Sequence, residues 1–93
     1  MADQVIASPE AMRDFSRYLD QSNHQLVEVM NSLSSRLSSL GDTWRDDGYE
    51  QFDSAFRQAA TSVNRFLEQS EKYVDYLRRK AERLEAVREV RLP

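Results

Sequence analysis

Cysteine is absent from this 93-residue chain, and histidine occurs only once, at His24. The chain therefore has no disulfide and no thiolate metal site, and no second histidine accompanies His24 in a metal centre or a catalytic pair. A chain this short often buries too little surface to be stable alone. Association with another chain is the remaining common source of stability. We expect a binding protein with no cofactor and no enzymatic activity.

Glycine and proline are also scarce, with two residues of each. Both prolines lie near the ends, at Pro9 and Pro93, so only Gly41 and Gly48 interrupt the helix-compatible sequence between them. This composition predicts one all-α domain over residues 1–93. No apolar run approaches the length of a membrane span, and the first residues do not resemble a signal peptide. We expect cytoplasmic synthesis, no stable membrane insertion, and no cleaved leader in any export.

The first helix is predicted over residues 9–40. Ser8 can cap its free N–H groups, Pro9 has the φ angle of a first helical residue, and Glu10 complements the helix dipole. Gly41 follows the helix, at a position that favours a residue tolerant of positive φ. An apolar stripe with a seven-residue period indicates coiled-coil-like packing, and it contains Met12, Leu19, Leu26, Leu33 and Leu40.

The second helix is predicted over residues 44–87, after a turn at residues 41–43. Thr43 is the favoured N-cap, and Asp47 is the alternative. A connection this short makes the two helices antiparallel neighbours. Residues 88–93 form a tail that can fray. The apolar stripe of the second helix contains Tyr49, Phe52, Phe56, Ala59, Val63, Phe66, Tyr73, Leu77, Leu84 and Val87.

A further apolar row lies beside this stripe and contains Ala60, Leu67, Val74 and Ala81. Together the two rows are wider than a two-helix hairpin can cover, so we expect two hairpins to join into a four-helix bundle. The alternative is that the rows close the hairpin of a single chain without any partner. The residues predicted at the dimer interface are Leu26, Met30, Leu33, Phe56, Ala60, Val63, Leu67 and Val74.

Charged residues point to no further chemistry. The acidic cluster at the turn does not have the spacing of a calcium loop, and carboxylates there can cap the second helix. The basic residues near the C-terminus are diluted by glutamates and form no recognised nucleic-acid motif. The net charge of −3 also disfavours nucleic acid as a partner.

The only tryptophan, Trp44, lies in the predicted turn. Two heptad helices around a tryptophan turn, in a chain of just under a hundred residues, resemble the WXG-motif family of small type VII secretion proteins. The motif here is a variant, Trp44-Arg45-Asp46, with the glycine displaced to Gly48. The family's C-terminal export signal, a tyrosine with an acidic residue four positions on, is missing after Tyr73 and Tyr76. Only residues 49 and 53 have that spacing, and they lie at the start of the second helix.

The resemblance implies a hairpin that pairs with a related hairpin, as a homodimer or a heterodimer, with the tryptophan turns towards the ends of the bundle. It also implies leaderless secretion and a role as type VII secretion substrate, adaptor or client chaperone. A larger secreted toxin or a secretion ATPase would be a further partner. Trp44, Asp46 and Gly48 are the candidate recognition residues. The alternative from another class is a structural coiled-coil module, for dimerisation or docking, that is unrelated to secretion.

Overall fold

Two long antiparallel α-helices joined by one turn make up the described part of the chain. The computed structural model describes residues 8–91, with α1 at Pro9–Leu40 and α2 at Asp47–Arg91. The molecule measures 72 × 25 × 16 Å, a rod whose length is close to that of α2 at about 1.5 Å per residue. The prediction of an all-α antiparallel hairpin is confirmed.

The start of α1 follows the predicted capping pattern. Ser8 has extended backbone angles, and its hydroxyl oxygen accepts a hydrogen bond of 3.1 Å from the backbone N–H of Ala11. Pro9 occupies the first helical position, and Glu10 lies in the first turn. These local signals are sufficient because the cap uses only residues adjacent in sequence.

The turn is longer than predicted, and α2 begins at Asp47 instead of residue 44. The chain stays against the end of α1 as far as Trp44, whose backbone N–H donates to the Leu40 carbonyl at 2.9 Å. Thr43 also bonds backwards, from its hydroxyl to the Leu40 carbonyl, so it does not cap α2 as predicted. At its other end α2 continues to Arg91, past the predicted limit at residue 87. Residues 92 and 93 of the predicted tail lie outside the described residues.

Gly41 serves a different purpose from the one predicted. Its φ is −64°, so the expectation of a positive φ is wrong. A β-carbon at Gly41 would lie 2.5 Å from the hydroxyl oxygen of Tyr49. The missing side chain therefore makes room for Tyr49, whose hydroxyl donates a hydrogen bond of 3.1 Å to the Leu37 carbonyl. This bond joins the start of α2 to the last turn of α1.

The two helices meet along a narrow contact surface built mainly from small side chains. We call this surface the seam, and its buried members are Pro9, Ser16 and Asn23 on α1 and Leu67, Ser70, Val74 and Ala81 on α2. Its rows have the seven-residue period of supercoiled helices. Because most of these side chains are short, the helix axes can approach closely. Ala81 is completely buried in the seam.

The seam corrects the prediction about the row of Ala60, Leu67, Val74 and Ala81. That row was assigned to a partner, yet its last three members are buried within the single chain and Ala60 is half-buried. The physical reason is size, since a row of mostly small residues fits between closely packed helices and a row of phenylalanines does not. The apolar stripe of α2 is divided: Tyr49, Phe56, Val63, Leu77 and Leu84 are half-buried, and Phe52, Ala59, Phe66, Tyr73 and Val87 are exposed.

A polar contact lies near the middle of the seam. The hydroxyl of Ser70 donates a hydrogen bond of 2.9 Å to the side-chain oxygen of Asn23, and both residues are buried. The amide nitrogen Nδ2 of Asn23 is also buried and has no partner within the described residues. An unpaired buried donor costs stability, so this pair favours one alignment of the helices more than it strengthens the hairpin.

Ion pairs join the helices at the end opposite the turn. The Arg13 guanidinium contacts the Glu85 carboxylate through two hydrogen bonds, and Arg88 Nη1 lies 2.8 Å from Glu10 Oε2. The hydrogen bond from Arg88 is the main cause that lowers the pKa of Glu10 from 4.5 to about 2. The hydrogen bond from Arg13 likewise lowers the pKa of Glu85.

The Asn23–Ser70 pair gives a prediction about stability. Ser70→Ala removes the one hydrogen-bond partner that the buried Asn23 oxygen has within residues 8–91 and should cost about 1–3 kcal/mol of unfolding free energy. Adding Asn23→Leu to this variant removes both polar groups and should recover most of the loss. Urea unfolding at one fixed chain concentration measures both changes, because association would otherwise shift the midpoint. A double variant as unstable as Ser70→Ala would contradict this account.

The ion pairs at the end opposite the turn give a prediction about how stability depends on pH. A carboxylate whose pKa is lowered on folding stabilises the folded state above its ordinary pKa, and this contribution is lost as the pH falls through the lowered value. Glu10→Gln should therefore lower Tm near neutral pH, and its effect should fade between pH 4.5 and about 2. Glu28→Gln is the control, since Glu28 is exposed and has no ion pair within residues 8–91. Equal effects of the two variants on thermal unfolding at neutral pH would disprove the assignment.

Candidate interaction surface and tryptophan turn

Large apolar side chains from both helices lie exposed on one side of the rod. Phe15 is 55% exposed on α1, and Phe66 and Tyr73 are 51% and 61% exposed on α2. These three residues, with Leu19 and Leu77, line a groove of 390 Å³ between the helices that is walled almost entirely by apolar atoms. We call this side the apolar face, and it also includes the exposed Val29, Leu33 and Phe52.

The apolar face is large enough for a stable protein–protein interface. Phenylalanine and tyrosine side chains bury about 150–250 Å² each, so the four half-exposed aromatic residues of the face offer on the order of 400 Å², to which Val29 and Leu33 add. Half-buried leucines between them add to this area. A standard interface buries about 800 Å² on each partner, and an isolated monomer seldom exposes so much contiguous apolar surface. The face therefore has the size of a docking site for another protein.

A set of four residues recurs every seven positions along α2 and assigns each row of side chains to one side of the helix. The three sets are Arg65-Phe66-Leu67-Glu68, Lys72-Tyr73-Val74-Asp75 and Arg79-Lys80-Ala81-Glu82. The third residue of each set is buried in the seam. The second residue of each set lies about 100° around the helix axis from the third, on the apolar face. The first residue lies about another 100° around the axis, at the outer edge of that face. We call the row of Arg65, Lys72 and Arg79 the basic rim; all three are exposed. The acidic fourth residues lie on the back of the rod.

The candidate recognition residues of the turn lie together. The indole N–H of Trp44 donates a hydrogen bond of 2.7 Å to Asp46 Oδ1, which also accepts from the backbone N–H groups of Gly48 and Tyr49 at 2.9 and 3.3 Å. Asp46 is therefore the N-cap of α2 and holds the tryptophan ring as well. A β-carbon at Gly48 would lie 3.1 Å from Trp44 Cζ2 and from Asp46 Oδ1, so a larger residue there would push both side chains by a few tenths of an ångström.

Trp44 also packs against the residue that links the two helices. Its ring lies edge-on to that of Tyr49, with the centroids 5.5 Å apart and the planes at 72°. Trp44 is half-buried, so part of the indole remains available to another molecule. Tyr49 is occupied by its bond to the Leu37 carbonyl, and Asp53 is paired with Arg57 at 2.8 Å. The tyrosine and acidic residue with the spacing of an export signal are thus engaged within the hairpin.

The residues predicted at the dimer interface are distributed unevenly. Leu33 is exposed on the apolar face, while Leu67 and Val74 are buried in the seam and have little surface left for a second chain. The others are half-buried, namely Leu26, Met30, Phe56, Ala60 and Val63. Phe15, Phe66 and Tyr73, which line the groove of the apolar face, were not among the residues predicted at the dimer interface. The signal that could have identified them is the row of Ser16 and Asn23, whose small polar side chains suit a narrow helix contact better than bulky aromatics do.

No group of histidine, cysteine or carboxylate side chains within residues 8–91 is arranged to hold a metal ion. Neither α1 nor α2 is long and apolar enough to cross a membrane.

A hairpin rod with one apolar face and a tryptophan turn belongs to the class of small helical interaction proteins. The chain is a member of the WXG100 family, described as proteins of 100 residues with WXG, which matches residues 4–87. The family consists of small helical proteins associated with type VII secretion, which are non-enzymatic and leave the cell without a signal peptide. No curated protein matches the chain.

The shared hydrogen-bond acceptor in the turn gives a prediction about the motif. Asp46→Ala should cost about 1 kcal/mol, because it removes the N-cap of α2, and it should also free the Trp44 ring. Urea unfolding measures the first effect, and the fluorescence anisotropy of Trp44 measures the second. Asp42→Ala is the matched control, since it removes an exposed carboxylate from the same turn. An Asp46→Ala protein with unchanged anisotropy would show that the carboxylate does not hold the ring.

Proposed function

We propose that this protein works as one half of a four-helix bundle, pairing through its apolar face with a second hairpin of the same fold. The observation that carries this proposal is the continuous apolar surface of Phe15, Phe66 and Tyr73, which the single chain leaves uncovered. In a hairpin each helix has one neighbouring helix. The bundle supplies a second neighbour, which the wide apolar surface of each helix requires.

In the arrangement we propose, the two turns lie at opposite ends of the bundle. A two-fold axis across the rod then sets α1 against α1 of the partner and α2 against α2 of the partner, each pair antiparallel. Trp44 lies at the end of the bundle, outside the paired faces. Its exposed part can therefore contact a third protein while the hairpins remain paired.

We further propose that the paired protein acts in type VII secretion as a substrate, an adaptor or a client chaperone. Family membership supports this role, and the half-exposed Trp44 beside the end of α1 offers a rigid aromatic anchor for a secretion component. The seam and the turn fasten the hairpin, so the apolar face and Trp44 can serve two different partners. A structural coiled-coil module would need the apolar face but not an oriented tryptophan.

Phe66→Gln should weaken pairing by about 2 kcal/mol, or about 30-fold in Kd, because it puts an amide into the centre of the apolar face. Sedimentation at high salt measures the self-association of the chain while charge effects are screened. Val90→Gln is the control, since Val90 is 84% exposed near the end of α2. Circular dichroism checks that the helices remain. Equal dimerisation of Phe66→Gln and the original chain would overturn pairing through this face.

Export distinguishes the secretion role from the structural module. In a host with a type VII apparatus, the chain should appear in the culture supernatant only when the secretion ATPase is active. Trp44→Ala should reduce export and leave pairing intact, while Phe66→Gln should reduce both. Export that is independent of the ATPase, or no export together with normal pairing, would favour the structural module.

A further inference from the structure

The charge pattern beside the apolar face bears on the identity of the second hairpin, and the inference rests on the pairing proposed above. On α2 the basic rim of Arg65, Lys72 and Arg79 runs along the outer edge of the face. Arg79 pairs with Asp75 at 3.1 Å, whereas Arg65 and Lys72 have no ion-pair partner within residues 8–91. No carboxylate of α2 occupies this rim row, whose other members are Gln51, Gln58 and Ala86.

The corresponding row of α1 has the opposite sign. Asp14 and Glu28 each precede a residue of the apolar face, Phe15 and Val29, just as the basic residues do on α2. Gln21 lies between them in the same row, and Asp14 pairs with Arg17 of its own helix at 2.5 Å, whereas Glu28 has no ion-pair partner within residues 8–91. We call this row the acidic rim. One edge of the face is therefore acidic and the other is basic.

Lys80 adds a charge within the face itself. It lies in the heptad row of Phe66 and Tyr73, is half-buried, and its ammonium lies 6.0 Å from the ring centroid of Tyr76. A partner that covers the face would remove water from this ammonium. A buried ammonium is tolerated when a carboxylate pairs with it, and the face of this chain offers none.

A second copy of the chain is a poor match in the proposed arrangement. With the turns at opposite ends, α2 faces α2 and α1 faces α1, so two copies would bring basic rim against basic rim and acidic rim against acidic rim. The two Lys80 side chains would also meet no carboxylate. Like charges placed opposite each other disfavour a pair and slow its formation.

We propose that the natural partner is a different hairpin with the opposite charge pattern. Its second helix carries carboxylates along the rim that meets Arg65 and Lys72, and one carboxylate reaches Lys80. Its first helix carries basic residues opposite Asp14 and Glu28. The apolar face then supplies the contact area, while the rims select the heterodimer over the homodimer.

The test uses a charge-reversed copy of the chain as a stand-in for the partner. The variant carries Arg65→Glu, Lys72→Glu and Arg79→Glu, and it is mixed in equal amounts with the original chain. Native mass spectrometry at low salt should show roughly a tenfold excess of the mixed dimer over the random proportion. The excess should disappear at high salt, because screening removes the rim attraction and leaves the apolar contact.

A control variant with the same change in net charge identifies the rim as the cause. Arg45→Glu, Arg78→Glu, Ser54→Glu and Thr61→Glu together alter exposed residues that lie outside the rim rows and have no ion pair within residues 8–91. Mixing this variant with the original chain should give random pairing at both salt concentrations. An equal excess with the control would overturn the proposal, because net charge alone would then explain the preference.

Other outcomes would also overturn it. If the original chain forms a stable dimer at low salt and mixes randomly with the rim variant, a second copy fits the face. Fluorescent labels attached at Asp42→Cys report the positions of the two turns. Efficient energy transfer between two labelled copies would place both turns at one end of the bundle. In that arrangement the basic rim of one copy meets the acidic rim of the other, so a second copy would fit. If no chain associates even at high salt, the pairing itself fails, and the heterodimer fails with it.

Discussion

Close packing of two helices through small side chains is the constraint on which the rest of this structure depends. Ala81, Ser16 and Val74 keep the seam narrow, and the bulky Phe15, Phe66 and Tyr73 lie outside it. These three collect on one side because each precedes a seam residue by one position in the heptad. The hairpin thus closes on a narrow row and leaves these aromatic side chains about half exposed.

The heptad period was sufficient to predict the helices, and the short turn to predict their antiparallel pairing, but neither showed which row faces inwards. Leu67 and Phe66 belong to neighbouring rows with the same period, so periodicity cannot rank them. Side-chain size decides which row faces inwards. The space is set by the opposite helix, where Asn23 and Ser16 leave room only for a narrow row. That information lies in the pairing of two distant segments, and no single window of the sequence contains it.

The start of α2 shows a similar limit. Thr43 and Asp46 are both good N-caps by residue type, and a sequence pattern cannot choose between them. The choice depends on Trp44 and Tyr49, because the tryptophan ring needs an acceptor and the tyrosine needs the space beside Gly41. The candidate recognition residues Trp44, Asp46 and Gly48 were identified from the motif, while their common hydrogen-bond acceptor could be recognised only from the folded turn.

The row structure of α2 also limits how the length of this chain can change. Deleting one residue between Arg65 and Glu82 would turn every row beyond it by about 100°, so a buried row would take the place of an exposed one. Seven residues can be removed or added with far less damage, because the rows then return to their former directions. Length variation among descendants of this sequence should therefore accumulate at the ends and in the turn, or occur in whole heptads within the helix.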